Sequence, residues 1–284
     1  MSVIPAAVAP WWAAQTAPLA KSRAWRWLHS TEVRHQVWGY LFVAPMLVLM
    51  VVFKFIPAIQ AFRLSFTSYD MLSAPRFIGI QNYISLIQDP LFHQSLMATV
   101  YFVVGAAIPV WILALLLALI FTLELPWKGF VRTIYFLPHI VPGVVFAIIW
   151  RFMFHPYGVL NAMLKVVHIA PIDWLNNVRA VIPAFIISTD STMIPFFMII
   201  YLTAIQNIPR DYFHAAAIDG ANGWQRFIHI TLPQLRPTFL LVVIMSIITL
   251  SKVFTSVVIL TGGGPDGASR VLPMFIYQMG LEYF

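Results

Sequence analysis

Two charged residues lie where charge is expensive. Asp190 falls within an apolar run from about Val178 to Tyr201, and Lys252 within another from about Pro237 to Leu260. An ionised group at membrane depth costs on the order of 3 kcal/mol on insertion scales, so it is expected to face a partner, water or a solute. Counted along ideal helices, Asp190 stands roughly 16 Å and Lys252 roughly 22 Å from the shared end of the two runs, within reach of a lysine side chain. The pair is expected to face one polar cavity, either joining two helices or contacting solute hydroxyls. Phe196 and Phe197, in the same run as Asp190, could line that cavity and stack on a sugar ring, or pack as ordinary membrane aromatics.

Other chemistry is not supported. There is no G-x-x-x-x-G-K-[ST] to cradle a phosphate, and Gly262 to Gly264 are followed by Pro-Asp-Gly with no lysine. No H-E-x-x-H occurs, the eight histidines stand singly, and the serines lack a G-x-S-x-G setting. The expectation is no catalytic residue, no metal site and no cofactor on this chain. Without cysteine there is no disulfide and no thiolate ligand.

The elements that must position these residues are apolar. Of 284 residues 61% are hydrophobic and 10% charged, against about 25% charged in soluble domains, which marks an integral membrane protein. The net charge of +7 comes from basic residues lying mostly between apolar runs, where they set orientation instead of binding nucleic acid. Residues 1–37 carry Lys21, Arg23, Arg26 and Arg34 and no spanning run, so they read as a cytoplasmic tail. Trp25 and Trp27 suit either a headgroup-bound segment or a disordered one.

Five spans follow within residues 38–284, each long enough for a hydrocarbon core that needs about 20 residues. They run from about Trp38 to Phe62 (with Lys54 snorkelling), Ser95 to Phe121, the turn at Lys128 and Arg132 to Phe154, Val178 to Tyr201, and Pro237 to Leu260. The third should kink near Pro138, Pro142 and Gly143. The segment from His155 to Asn177 reads as an external loop with a short interfacial helix, anchored by Trp174. Basic residues place the N-terminal tail and the segment around Gly220 in the cytoplasm.

That segment, about 203–237, is the most informative stretch. Pro209 is placed to start a short helix and Gly220 to end it in a left-handed conformation. Asn222 can cap a second helix through Trp224, Phe227 and Ile228, stopped by Pro233 and Pro237. Neither helix can cross a bilayer, and three consecutive alanines offer a low surface for close packing by another protein.

Here the chain resembles the EAA loop of permease subunits in binding-protein-dependent ABC importers, E-A-A-x-x-D-G-A followed by F, I and L-P. Ala215, Ala216, Asp219, Gly220, Ala221, Phe227, Ile230, Leu232 and Pro233 match, and His214 stands at the usual acidic position. Two further runs are similar to sugar-type permeases: Arg76-Phe77-x-Gly79-x-x-Asn82-Tyr83 and Thr261-Gly-Gly-Gly-Pro265. The resemblance implies an all-α membrane protein with the type I ABC importer permease fold, located in a bacterial or archaeal cell membrane. Because that family ends with one more helix, a last span beyond the five is expected to be missing. It also implies a second homologous permease, two ATPase subunits carrying the ATP and Mg, an external solute-binding protein, and alternating access, with a rigid helix at residues 209–219 to transmit the movement. Competing readings are an importer for a non-sugar solute, an ion-coupled secondary transporter using Asp190 and Lys252, and a scaffold without transport.

Overall fold

The computed structural model describes residues 31–70, 72–123 and 126–282. The reading of Trp25 and Trp27 lies outside these residues. The chain separates into two units, one ending at Asn82 and one beginning at Tyr83.

In the first unit α1 (Thr31–Met50) passes through a π-helical turn at Val51–Phe55 directly into α2 (Ile56–Leu64), and Val37–Leu64 is long and apolar enough to cross a membrane. Lys54 lies within the π turn. A two-residue antiparallel ladder follows, β1 (Thr67–Ser68) with β2 (Arg76–Phe77). The R-F-x-G-x-x-N run closes this hairpin: Arg76 and Phe77 form β2, and Asn82 Nδ2 donates to the carbonyls of Ser65 and Thr67, both at 2.9 Å. Asp70 Oδ1 fixes the loop between the strands by accepting from Ser73 N, Ser73 Oγ and Leu72 N at 2.7, 2.8 and 3.1 Å. These bonds to the charged form hold the Asp70 carboxyl below its ordinary range, those from Ser73 contributing most. The helix α3 (Gln81–Gln88) straddles the boundary of the units.

The second unit is a helical bundle around α4 (Pro90–Thr122) and α8 (Val181–Gln206). Both overrun their apolar cores. Asp89 caps α4 by accepting from Leu91 N at 2.7 Å, with Pro90 at the first position where no amide donor is needed, and α8 continues five residues past Tyr201. The two pack along their length because α4 buries Ala98, Ala106, Ala107, Ala114 and Ala118, small side chains that let helix backbones approach. Two apolar clusters result: Phe102, Phe154, Phe185 and Leu260 around one end, and Val110, Phe197, Met198, Tyr201 and Val242 around the other.

The third apolar run is two helices, α5 (Lys128–Ile140) and α6 (Gly143–Met153), bent by 102°. Val141 is driven to extended geometry by the following Pro142, while Pro138 is accommodated inside α5. After the short α7 (Val159–Val166), Asn161 is buried and binds Ile172 N, Ile172 O, His155 O and Trp174 Nε1. Trp174 is half-buried, its ring 5.7 Å from that of Phe154, and with its bond to Asn161 it ties this segment to the bundle.

Beyond α8 come α9 (Arg210–Ile218) and α10 (Gly223–Arg226), the latter running on through a π turn (Phe227–Thr231) and α11 (Leu232–Gln234) to a 63° bend and α12 (Arg236–Leu250). Pro233 and Pro237 do not stop a helix as expected, because each occupies the first turn of a segment, where a missing amide costs little. The bend falls at Leu235, 1% exposed, and the backbone ladder reaches it from both sides, Leu235 N donating to Thr231 O and Phe239 N to Leu235 O. The fifth run is also broken: α12 ends at Leu250 and α13 spans only Thr255–Leu260. A turn at 261–271 leads into α14 (Leu272–Tyr277), which continues as a π helix to Glu282. Among the described residues three helices can cross a membrane, or five if each bent pair is one span.

Candidate functional site

Three places hold the residues in question: a polar belt inside α8, the hairpin at 207–235, and the turn at 261–271.

The belt is Ser188-Thr189-Asp190-Ser191-Thr192, a complete turn of polar side chains within a 26-residue apolar helix. Three of its four hydroxyls are spent locally, with Ser188 Oγ donating to Phe185 O, Ser191 Oγ to Ser188 O and Thr192 Oγ1 to Thr189 O at 3.0, 2.6 and 2.8 Å. None reaches Asp190, which is 7% exposed and whose Oδ1 has no hydrogen-bond partner. Eleven residues on, which returns a helix to nearly the same face, Tyr201 is fully buried and its hydroxyl is also unpartnered.

Lys252 does not pair with Asp190. It lies exposed in the turn that separates α12 from α13, its amide donating to Thr249 O, and the described residues contain no ion pair between the two. The distance argument assumed an unbroken fifth helix, and the break at 251–254 takes Lys252 off the helical face. The aromatic pair divides as well. Phe197 is 1% exposed and fills the apolar cluster with Val110 and Met198, so it packs and is not available to a solute. Phe196 is half-buried and stacks on His139 at the end of α5, with ring centroids 4.8 Å apart and planes 18° apart. His139 Nδ1 lies 3.2 Å from Thr192 O, which ties α5 to the belt just ahead of the 102° break. His139 was not singled out from sequence, since its partners lie more than fifty residues away. The S-T-D-S-T run, in contrast, was there to be read.

In the hairpin, Asp219 is the C-cap of α9 and Gly220 takes φ +78°, with Ala221 N donating back to Ala216 O at 2.8 Å. Asn222 then forms a reciprocal cap, its Oδ1 accepting from Gln225 N at 2.9 Å and its amide donating to Gln225 Oε1 at 2.8 Å. The hairpin thus satisfies its own backbone. His214, Ala215, Asp219 and Gly220 are exposed, Phe227 and Ile230 half-buried, and a cavity of about 320 Å³ opens between Ala216, Asp219, Gly220, Ala221, Gln225, Arg226, His229 and Ile230. Leu232 and Pro233 lie beyond the cavity at the foot of α12.

The turn at 261–271 is tied to its surroundings. Thr261 Oγ1 and Ser269 Oγ lie 2.7 Å apart, and Ser269 Oγ donates to Gly264 O. From α4, Gln94 Nε2 donates to Asp266 O at 2.6 Å and Thr99 Oγ1 accepts from Leu272 N at 2.8 Å. Gly267 has φ +72° and lies where an added Cβ would meet Gln94 Oε1 at 2.8 Å.

Long apolar helices, bent half-spans, a buried carboxyl at mid-helix and a self-capped hairpin between two spans together define a multi-pass membrane permease. The chain belongs to the family of binding-protein-dependent transport system inner membrane components, which matches residues 94–283. It is 33% identical over 243 residues to the trehalose/maltose transport system permease protein MalF of Thermococcus litoralis, covering 84% of this chain and 82% of that one. With the probable starch degradation products transport system permease protein AmyD of Thermoanaerobacterium thermosulfurigenes it shares 30% identity over 246 residues, 86% and 84% of the two chains. A crystal structure of a bacterial ABC transporter involved in alginate import has the same fold, with a TM-score of 0.76 at 24% identity over 92% of this chain and 88% of that one.

Proposed function

We propose that this chain is the membrane permease subunit of an ATP-driven importer for a carbohydrate, forming half of the translocation pathway. The observation that carries the reading is the hairpin at 207–235. It is a rigid, self-satisfied helical pair with an exposed alanine face, inserted between two spans and continuous with α12. The names of the relatives, which transport maltose, trehalose and starch degradation products, support the carbohydrate class. The partners are a second homologous permease, two ATPase subunits and an external solute-binding protein. ATP and Mg are held by the ATPase subunits, and this chain does no chemistry of its own. The N-terminus and the hairpin face the cytoplasm, and the turn at 261–271 faces outward.

Residues His214, Ala215, Ala216, Asp219, Gly220, Ala221 and Phe227 form the surface met by an ATPase, and Leu232 and Pro233 carry its movement into α12. In the pathway, the stacked pair of Phe196 and His139 offers a flat face to a sugar ring, and Asp190 offers an acceptor to hydroxyl groups. The test is reconstitution of both permeases with the ATPase and the solute-binding protein, measuring uptake of labelled maltodextrins. Uptake should require ATP and fall at least tenfold in Phe196→Ala. ATP-independent uptake driven by a proton gradient would instead make the chain a secondary transporter.

A further inference from the structure

We infer that the cavity where α4, α5 and α8 meet at one membrane surface is a site for the phosphate of an anionic phospholipid headgroup, held by Lys128 and Arg132. α4 and α8 pack side by side and both end here, with Phe121 and Leu202 near their last turns forming an apolar floor. α5 begins at the same point. Lys128 and Arg132, four residues apart and so on one face of α5, line the opening together with Gly129 and Gln206. The cavity is about 200 Å³ in volume. Its described lining contains two cations, one neutral amide side chain and no acidic group, and neither cation has an ion-pair or hydrogen-bond partner among the described residues. Lys128, Arg132 and Gln206 are all exposed, so a ligand oxygen can reach them.

Position selects a lipid over a free anion. With 33 and 26 residues, α4 and α8 are about 50 and 39 Å long against a hydrocarbon core of about 30 Å, so their final turns reach the headgroup layer. Trp127, exposed at the head of α5, is a residue type favoured in that layer. A soluble anion would meet the two cations equally well but would gain nothing from Phe121 and Leu202. A phospholipid presents its phosphate to the cations and its glycerol and first methylenes to the floor. Two cations without a carboxylate favour a headgroup of net negative charge over a zwitterionic one. Basic residues that served only to set orientation would have no reason to converge on a cavity. The site is distinct from the hairpin at 207–235, so the inference stands or falls independently of the coupling role.

The experiment follows the Tm of the assembled, delipidated importer in detergent as phosphatidylglycerol or phosphatidylcholine is added, comparing wild type with the double variant Lys128→Gln, Arg132→Gln. Phosphatidylglycerol should raise the wild-type Tm saturably, and phosphatidylcholine should not. A cation beside an anionic headgroup is worth about fivefold in affinity, so the double variant should need about 30-fold more phosphatidylglycerol for the same rise. The exchange Lys128→Arg with Arg132→Lys keeps both charges and should stay close to wild type. No saturable rise in wild type, or an equal response in the double variant, overturns the inference. The same rise with inorganic phosphate or glycerol phosphate at matching concentration also overturns it, because the site would then take a free anion. So does a double variant whose Tm is lowered before any lipid is added and whose response is unchanged. Its cations would then serve a carboxylate of the protein, of which Glu124 is the nearest in sequence. A double variant that responds to lipid as wild type does but loses the ATPase subunits on purification overturns it as well, since the cations would then belong to that interface.

Discussion

The bundle reverses direction at two glycine-punctuated places, and they are built on opposite plans. At 261–271 the chain is fastened to α4 by Gln94 and Thr99, and a Cβ on Gly267 would strike Gln94 at 2.8 Å. At 219–222 the chain is fastened only to itself, and a Cβ on Gly220 would meet nothing within 4 Å. Both glycines have positive φ, +72° and +78°, so the backbone requirement is shared and the surroundings differ. A turn locked into its own chain serves the fold. A turn that satisfies its own polar groups and leaves its surface empty is available to another molecule.

The sharpest way to break this contrast is Gly267→Val. Left-handed strain of about 1–2 kcal/mol acts there, and the displaced Gln94 side chain gives up its bond to Asp266 O, worth about 1 kcal/mol, so a loss of roughly 2–3 kcal/mol is expected, read as a lowered Tm in detergent. A Tm within a degree of wild type would show that the turn is not locked. Thr99→Val keeps the volume and removes both hydroxyl bonds, leaving Leu272 N unpaired at a cost of about 1–3 kcal/mol. The expected readout is faster hydrogen exchange at the start of α14.

A Cβ added at Gly220 meets nothing within 4 Å, so Gly220→Val costs mainly the backbone strain of about 1–2 kcal/mol. Expression and assembly should survive while ATP hydrolysis no longer drives uptake. Normal uptake at a normal ratio of solute to ATP would mean the hairpin turn is not under functional constraint. The smallest effect belongs to a third reversal, the Asp70 loop. Its folded pKa is depressed, so its stabilisation is present above the unfolded value and disappears as pH falls through the folded one. NMR signals of Leu72 and Ser73 should lose order only in that acidic window, and Asp70→Asn should show no such window.

Much of this was legible because apolar runs and helix punctuation are local. Pro209, Gly220 and Asn222 each have the role their chemistry suggests, the second apolar run falls within α4, and the fourth coincides with α8 from Val181 to Tyr201. Helix ends were less legible. Asp89-Pro90 is a cap followed by a first-turn proline, but the apolar run begins several residues later, at about Ser95. The break at 251–254 contains neither proline nor glycine, so nothing in the string Ser-Lys-Val-Phe announces it. That break alone misdirected the pairing of Asp190 with Lys252. Long-range contacts such as His139 with Phe196 and Gln94 with Asp266 join residues that no local pattern connects.

The bend at Leu235 makes the hairpin and α12 two arms of one crank. Hydrogen bonds hold each arm right up to the elbow and the residue at its centre is buried, so the joint has little slack to absorb a push. With fifteen residues in α12, the far arm is about 22 Å long, and a tilt of about 10° at the elbow carries Leu250 about 4 Å. Leu250 sits in the apolar cluster beside Val257 and Leu260, immediately before the break at 251–254. A few degrees of rotation at one membrane surface would therefore be felt first at the one place in this arm where the helix is already parted.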